Sequence, residues 1–289
     1  MPEICRRTTR LLAIIVPLAA IVLNASAASA QPALGRASGF AVLAGTAVTC
    51  TDGGGAVVTG DVGEWPGTAF TNIPPCTING TVHLGDGVAK QAYLDFISAY
   101  NDLLSNPPAC DATLTGTLAG EVLVPGVYCV SAEAKTGLLT LDAGTAGASA
   151  VWIFLVDGAL TGNSFNVKML NDGDPCNVYW RTGLNADATL TTSNFVGTIL
   201  SGAAITVTAT NGTVQGGLFA TTAVTLTLTN STVTACEATG HGRGSKCNQG
   251  VGNGPEACDP GNSNNHNPSN DELGGTPGNP GRKGGGIGT

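Results

Sequence analysis

Two consecutive 19-residue segments decide the fold of this 289-residue chain: residues 197–215 (GTILSGAAITVTATNGTVQ) and residues 216–234 (GGLFATTAVTLTLTNSTVT). At one set of alternate positions aliphatic residues align with each other, as Val207 does with Leu226, and at the other set threonines align. Because successive side chains of a strand point to opposite faces, each copy predicts a strand with one aliphatic and one threonine face. This period is typical of a β-solenoid, in which similar coils stack on one another.

A third, less regular copy precedes these two at the same offset. Its Asp187, Thr189 and Thr191 fall under the three alternating threonines that begin at Thr206. Further upstream, residues 151–156 (VWIFLV) are apolar at every position, which predicts a strand buried on both faces. The chain therefore predicts a mainly β domain of stacked coils, and we place its limits at residues 31–236.

One segment has helical periodicity instead. Residues 87–105 carry apolar side chains three and four positions apart, which predicts an amphipathic helix. Asp86 is the predicted N-cap, and residues 106–108 (NPP) end the helix. We expect this helix to pack along one flank of the solenoid and to cover an apolar side.

Residues 1–30 have the features of a signal peptide. Three arginines precede an apolar run at residues 11–23, and residues 28–30 (ASA) fit the small-residue cleavage pattern. The run is short for a membrane span. We predict cleavage and export, to the medium or the cell surface, with no membrane segment in the mature form; an uncleaved N-terminal anchor is the alternative.

Cysteine content and charge limit the function. Without residues 1–30 the chain keeps 9 basic and 19 acidic residues, a net charge of −10, which argues against nucleic-acid binding. An even number of cysteines in an exported chain favours disulfides. The cysteines lack the CxxC spacing that is typical of a zinc site. The candidates for disulfides, whose pairing the sequence leaves open, are Cys50, Cys76, Cys110, Cys129, Cys176, Cys236, Cys247 and Cys258.

Residues 237–289 differ in composition from the rest of the chain. They are rich in Gly, Asn, Pro and Asp and contain few large apolar residues. Such a segment cannot bury enough apolar surface to form a core, so we predict a disordered tail. A surface anchor, or weak calcium binding at residues 259–272, are the alternatives.

Six short motifs, with the helix between the second and third, resemble the microbial ice-binding protein family, whose domain is often called DUF3494. The resemblance covers roughly residues 36–236. It implies a right-handed, discontinuous β-helix of triangular cross-section with one long α-helix along a flank. The motifs are residues 39–44 (GFAVLA), 59–63 (TGDVG), 123–128 (LVPGVY), 151–154 (VWIF), 177–180 (NVYW) and 197–200 (GTIL).

The resemblance also implies a site. In this family one flat face binds ice, and in several members it carries T-A/G-x-T/N motifs. Residues 46–49 and 222–225 match that motif, and residues 203–206 depart from it at the first position. The expected partner is an ice surface, bound by a monomer without cofactor, metal or catalytic residue. The expected ice-binding residues are Thr46, Thr49, Asp187, Thr189, Thr191, Ala203, Thr206, Thr208, Thr210, Thr222, Thr225, Thr227 and Thr229.

Two other functions compete with ice binding. A β-helix polysaccharide lyase or hydrolase needs clustered carboxylates or bases, but the acids here are scattered and none recurs at the 19-residue offset. His83 is the single histidine before residue 237. A surface adhesion or matrix protein that recognises glycan or mineral is the other alternative; a glycan face would carry aromatic side chains, and the repeats have few.

Overall fold

The protein is described by a computed structural model that covers residues 31–236. The predicted signal peptide and the predicted tail, residues 237–289, lie outside the described residues. The described chain consists of parallel strands, one α-helix, α1 (Gly87–Ser105), and 3-10 turns at Gly35–Gly39, Gly147–Ser149 and Pro175–Asn177. The strands are β1 Phe40–Ala44, β2 Ala47–Asp52, β3 Val57–Thr59, β4 Asp61–Glu64, β5 Ala69–Asn72, β6 Thr77–Asn79, β7 Val82–Leu84, β8 Ala112–Leu114, β9 Val122–Leu123, β10 Gly126–Val130, β11 Lys135–Asp142, β12 Trp152–Val156, β13 Leu160–Leu170, β14 Val178–Leu184, β15 Ala188–Val196, β16 Thr198–Gly202, β17 Ile205–Gln215, β18 Leu218–Ala220, β19 Ala223–Thr229 and β20 Thr232–Thr234.

These strands stack as coils with three faces. Face A is a nine-stranded sheet in the order β7-β4-β1-β18-β16-β14-β12-β10-β8. Face B contains β5, β2 and β19, the first halves of β17, β15 and β13, and the first two residues of β11. Face C contains β6, β3 and β20, the second halves of β17, β15 and β13, the rest of β11, and β9. The predicted β-helix is therefore confirmed.

The order of the coils differs from the order of the chain. In face A, Val42 of β1 pairs with Val62 of β4 on one side and with Leu218 of β18 on the other. The first coil of the sequence thus stacks on the last one, and the helix follows β7 at that end of the solenoid. This arrangement is the discontinuity that the family resemblance implied.

Two apolar cores hold the coils in place. Inside the solenoid, the rings of Phe154 and Trp180 stack with centroids 3.8 Å apart and interplanar angle 10°. The outer side of face A is buried against α1, where Phe96 contacts Phe219. Face A is thus covered on both sides, which explains why residues 151–156 are apolar at every position.

Helix α1 has the limits that the sequence predicted. The Asp86 side chain accepts a hydrogen bond from the Ala89 backbone N–H at 2.8 Å, so Asp86 is the N-cap. The helix ends at Ser105, before Asn106. None of the helical segments in residues 31–236 combines the length and hydropathy needed to cross a bilayer.

Three disulfides link the described cysteines. They join Cys50 to Cys76, Cys110 to Cys129 and Cys176 to Cys236. Disulfide bonding is thus confirmed for these six, while Cys247 and Cys258 lie outside the described residues.

A lysine occupies the solenoid interior near the β8–β9 end. Lys135 pairs with Gly162 of the next coil, and its side chain is 1% exposed. Its Nζ donates a hydrogen bond to the Gly116 backbone oxygen at 2.8 Å. Burial lowers the pKa of this amine, against an opposing effect of Glu133. The aliphatic interior therefore ends on a lysine amine.

Candidate functional site

Face B carries two outward columns of short polar side chains. Parallel pairing places each member beside the equivalent residue of the next coil. The first column contains Thr71, Thr49, Thr225, Thr206, Thr189 and Thr161, in spatial order. The second contains Thr51, Thr227, Thr208, Thr191, Asn163 and Thr136.

The columns rest on a rigid interior. Between the two columns, Leu226 and Val207 point inward and are at most 1% exposed, whereas Thr227 and Thr208 point outward and are exposed. The Cys50–Cys76 disulfide lies behind the same face, since Cys50 pairs with Leu226. The buried residues and the disulfide hold the strands in place. Because threonine is restricted at χ1, the outward side chains are ordered as well.

The third copy of the repeat has a different register from the predicted one. The equal offset predicted Thr189 beside Thr208 and Thr191 beside Thr210, but Thr189 pairs with Thr206 and Thr191 with Thr208. The prediction was wrong by two residues because the ladder shifts between Thr192 and Asn194, where β17 contains two more residues than β15. After this bulge the paired residues of β15 and β17 are 19 apart in sequence, as Asn194 and Thr213 are.

Asp187 is consequently outside the threonine columns. It was expected beside Thr206, but it precedes the first paired residue of β15 and lies at the edge of face B. Its Oδ1 accepts a hydrogen bond from the Ala204 backbone N–H at 2.9 Å. The carboxylate therefore joins two neighbouring coils where the chain enters the face.

Three further expected residues stack at the corner between faces A and B. The Thr222 backbone N–H donates to the Ala203 oxygen at 3.3 Å, and the Thr46 backbone N–H donates to the Thr222 oxygen at 2.9 Å. Thr46 and Thr222 are exposed, and Ala203 is half-buried. These residues border the columns rather than belong to them.

The remaining expected threonines lie on face B. Thr49, Thr206 and Thr225 are members of the first column, and Thr208 and Thr227 of the second. Thr210 and Thr229 pair with each other and form a short third column on two coils.

Sequence reasoning missed five members of the columns: Thr51, Thr71, Thr136, Thr161 and Asn163. Thr51 had a detectable signal, because its sequence AVTCT at 47–51 repeats AVTLT at 223–227. The others depend on pairing between strands far apart in the chain or on a register that the bulge changes.

The columns are uncharged. The acids closest in sequence to them, Asp52 and Asp187, cap backbone N–H groups at the edges, where Asp52 accepts from Ala56 at 2.9 Å. Within residues 31–236, no cluster of three His, Cys, Asp or Glu residues is placed to hold a metal. This face can offer hydroxyls and methyls in a regular array, and it has no arrangement suited to acid–base chemistry.

Comparison with known proteins places this chain in a family. A model of the ice-binding-like family matches residues 42–234. The chain belongs to this family. The membership confirms the resemblance found in the sequence and, with it, the expected ice-binding function class. The family is one of ice-binding proteins rather than enzymes, which disfavours the lyase alternative.

Individual members of the family are similar in sequence and structure. An ice-binding protein of Nostoc sp. (strain HG1) is 40% identical over 211 residues, which cover 72% of this chain and 75% of that protein. The crystal structure of an ice-binding protein from the Antarctic ascomycete Antarctomyces psychrotrophicus has a TM-score of 0.62 and 34% identity, covering 71% of this chain and 98% of that one. The DUF3494 domain of Shewanella frigidimarina ice-binding protein 1 has a TM-score of 0.60 and 28% identity, covering 72% and 98%.

Proposed function

We propose that this protein is an exported monomer that adsorbs to ice through the two columns of face B. The observation that carries the proposal is the register of these columns, which continues over six coils without a charged or bulky side chain. Membership of the ice-binding-like family and the relatives' names support the choice of ice as the ligand.

The array has two repeat distances. Adjacent parallel strands lie about 4.8 Å apart, and alternate residues of one strand are about 6.6 Å apart. Hydroxyl groups therefore repeat in two dimensions along the two columns, interrupted once by the amide of Asn163. Such an array can hold a layer of ordered water that continues into a crystal, with the hydroxyls anchoring the water and the methyls limiting ordinary hydration.

Rigidity makes weak contacts effective. Each hydroxyl contributes little, and the sum has to exceed the entropy lost when protein and crystal associate. Here the χ1 preference of threonine and the fully buried residues beneath the columns reduce that loss, because the array is ordered before it meets ice. The absence of charge within the columns also avoids the desolvation cost of an ionic group.

The tryptophans do not support a glycan-binding platform on this face. Trp152 and Trp180 are fully buried, and Trp65 packs against Tyr93 and under Lys90 beside helix α1. Sugars are usually bound against exposed rings, and the columns of face B contain none.

The proposal is tested with purified residues 31–289 in an ice-recrystallisation assay, a thermal-hysteresis measurement and a glycan array. We expect slower coarsening of ice grains and a non-equilibrium freezing point, without glycan binding. Ice growth unaffected by the protein would contradict the proposal, as would glycan binding that masks face B. Secretion is tested separately by detecting the N-terminus of the exported protein, which we expect at Gln31.

A further inference from the structure

Face C contains a groove that ice adsorption through face B does not use. Its outward side chains on β6, β3 and β20 are short, namely four threonines, Val57 and Asn79, whereas longer side chains lie on β17, β15, β13 and β11. The longer side chains enclose a groove of about 420 Å³. Leu138, Lys168, Pro175, Asn194, Val196 and Gln215 are among the residues that line it.

The groove lies where two strands separate. The backbone ladder between β13 and β15 covers Leu160 to Asn163 and is not continued on face C. There the Asn194 backbone N–H donates to the Asn166 Oδ1 at 2.9 Å, and the Thr213 hydroxyl donates to the Asn194 Oδ1 at 3.1 Å. Side chains therefore join the coils in place of the backbone, which leaves a depression rather than a flat sheet.

Two connections bring the end of the domain to this groove. Thr234, the last residue of β20, pairs with Gln215, which lines the groove. Cys236 is disulfide-bonded to Cys176, which follows the lining residue Pro175. The chain that continues after Cys236 thus starts beside the groove, held by a strand ladder and by a covalent bond.

Length and charge select the segment that fits. The groove crosses four adjacent strands, β17 to β11, which is about 14 Å at the usual strand spacing. Five extended residues span about 17 Å, so residues 237–241 (EATGH) reach its far side. Lys168 is the one basic residue of the lining, and the segment begins with an acid, Glu237. The glycines that follow suit a shallow groove lined by amide side chains.

We propose that the segment following Cys236, residues 237–241, docks in this groove of its own chain, with Glu237 paired to Lys168. The polar backbone of the segment lies against the amides of Asn194 and Gln215. The rest of the chain then leaves the domain on face C. Face B stays uncovered, so that a crystal and anything attached to the C-terminal residues are held on different sides of the protein.

Proteolysis with an arginine-specific protease tests the docking in residues 31–289 under non-oxidising, non-reducing conditions. Arg243 lies two residues after the docked segment, close enough that docking should hinder cleavage there, and Arg282 in the same C-terminal region is the internal reference. We expect cleavage after Arg243 to be at least about tenfold slower than after Arg282, because cleavage follows the population of the open form. Equal rates would overturn the proposal.

A charge-reversal cycle identifies the groove. Lys168→Glu and Glu237→Lys should each remove the protection of Arg243, and the double variant should restore it. Lys90→Glu, an exposed lysine on α1, is the matched control and should change nothing. Circular dichroism verifies that each variant is folded. Protection that persists in Lys168→Glu, or that disappears on dilution as expected for docking between two copies, would contradict the proposal.

Discussion

Asn211 and Asn230 lie at the same corner of two successive coils, and the Asn230 Nδ2 donates a hydrogen bond to the Asn211 Oδ1 at 2.8 Å. Both backbones have positive φ, 51° and 45°. Asparagine tolerates this conformation better than other residues with a Cβ. The pair therefore fixes the turn from face B to face C.

We expect Asn211→Ala to lower the free energy of unfolding by about 2 kcal/mol, since it loses the hydrogen bond and places alanine at positive φ. Asn211→Gly loses the hydrogen bond but keeps an unstrained backbone, so its cost should be about 1 kcal/mol. Chemical denaturation measures both. If glycine were as damaging as alanine, the backbone conformation would not be the cause.

Thr227→Tyr should abolish most of the ice activity without unfolding the protein. Thr227 is exposed in the middle of the second column, and a tyrosine ring would hold the crystal away from its neighbours. We expect a loss on the order of tenfold or more in recrystallisation inhibition, with a stability change within about 0.5 kcal/mol. Thr77→Tyr, also exposed but on face C, is the matched control and should remain active. Equal losses in both variants would mean that face B is not the binding surface.

Leu226→Ala should show the opposite pattern. Leu226 points inward between the two columns and is 1% exposed. Its truncation creates a cavity that should cost about 2–5 kcal/mol. At low temperature, where the coil remains folded, ice activity should persist. Leu184→Ala, at a residue 67% exposed, is the control and should change stability by less than about 0.5 kcal/mol. Thermal unfolding compares the two, and similar midpoints would refute the inward orientation.

All four tyrosines should ionise only at a higher pH than a free tyrosine does. Burial raises the pKa of Tyr93, Tyr100 and Tyr128 above 10.0, and it raises the pKa of Tyr179 to about 12, with a smaller effect of Asp174. Because the folded state favours the neutral phenol, this stabilisation is complete below pH 10 and is lost as the pH rises towards 12.

A spectrophotometric titration of phenolate absorbance checks this order. We expect little absorbance change at pH 10 in the folded protein and half-ionisation at that pH in denaturant. A folded protein that titrates like the denatured one would show that these rings are accessible.

The helix N-cap makes part of the stability dependent on acid. The Ala89 backbone N–H and, to a smaller extent, the His83 ring lower the pKa of Asp86 below 3.8. A depressed folded-state pKa means that the contribution is present above pH 3.8 and is lost as the pH falls through the lower folded value.

We expect Asp86→Ala to cost about 0.5–2 kcal/mol at neutral pH. Asp86→Ser retains a capping oxygen without a titratable carboxylate, so it should be less destabilising and should lack the acid-dependent step. Denaturation midpoints at neutral and acid pH measure this step. If Asp86→Ser lost stability in acid as the unaltered protein does, another carboxylate would be responsible.

Local patterns in the sequence predicted the elements that depend on local interactions. Helix α1 follows from its periodicity and from the capping side chain of Asp86. The pairing of Thr206 with Thr225 follows from two adjacent copies of one segment. Here neighbours in space are also neighbours in the chain, so alignment of the copies is equivalent to register.

Long-range stacking was not predictable in the same way. β2 lies between β5 and β19, so Thr49 pairs with Thr71 and with Thr225, and only the second pair joins similar segments. The register of Thr189 depends on two additional residues at a corner, which no alternation of side chains reveals. The disulfide partners are likewise fixed by coil order rather than by sequence spacing.

Lys135, in the interior near the β8–β9 end, bears on whether further strands can be added at that end. A row of parallel strands with an open outer edge is a template for adding strands from other chains, the route by which fibrils grow. A chain that extended the solenoid beyond β8 and β9 would move the Lys135 amine, which is already 1% exposed, further from bulk water, and this disfavours its charged form. A buried amine at this end therefore disfavours the addition of further strands to the edge formed by β8 and β9.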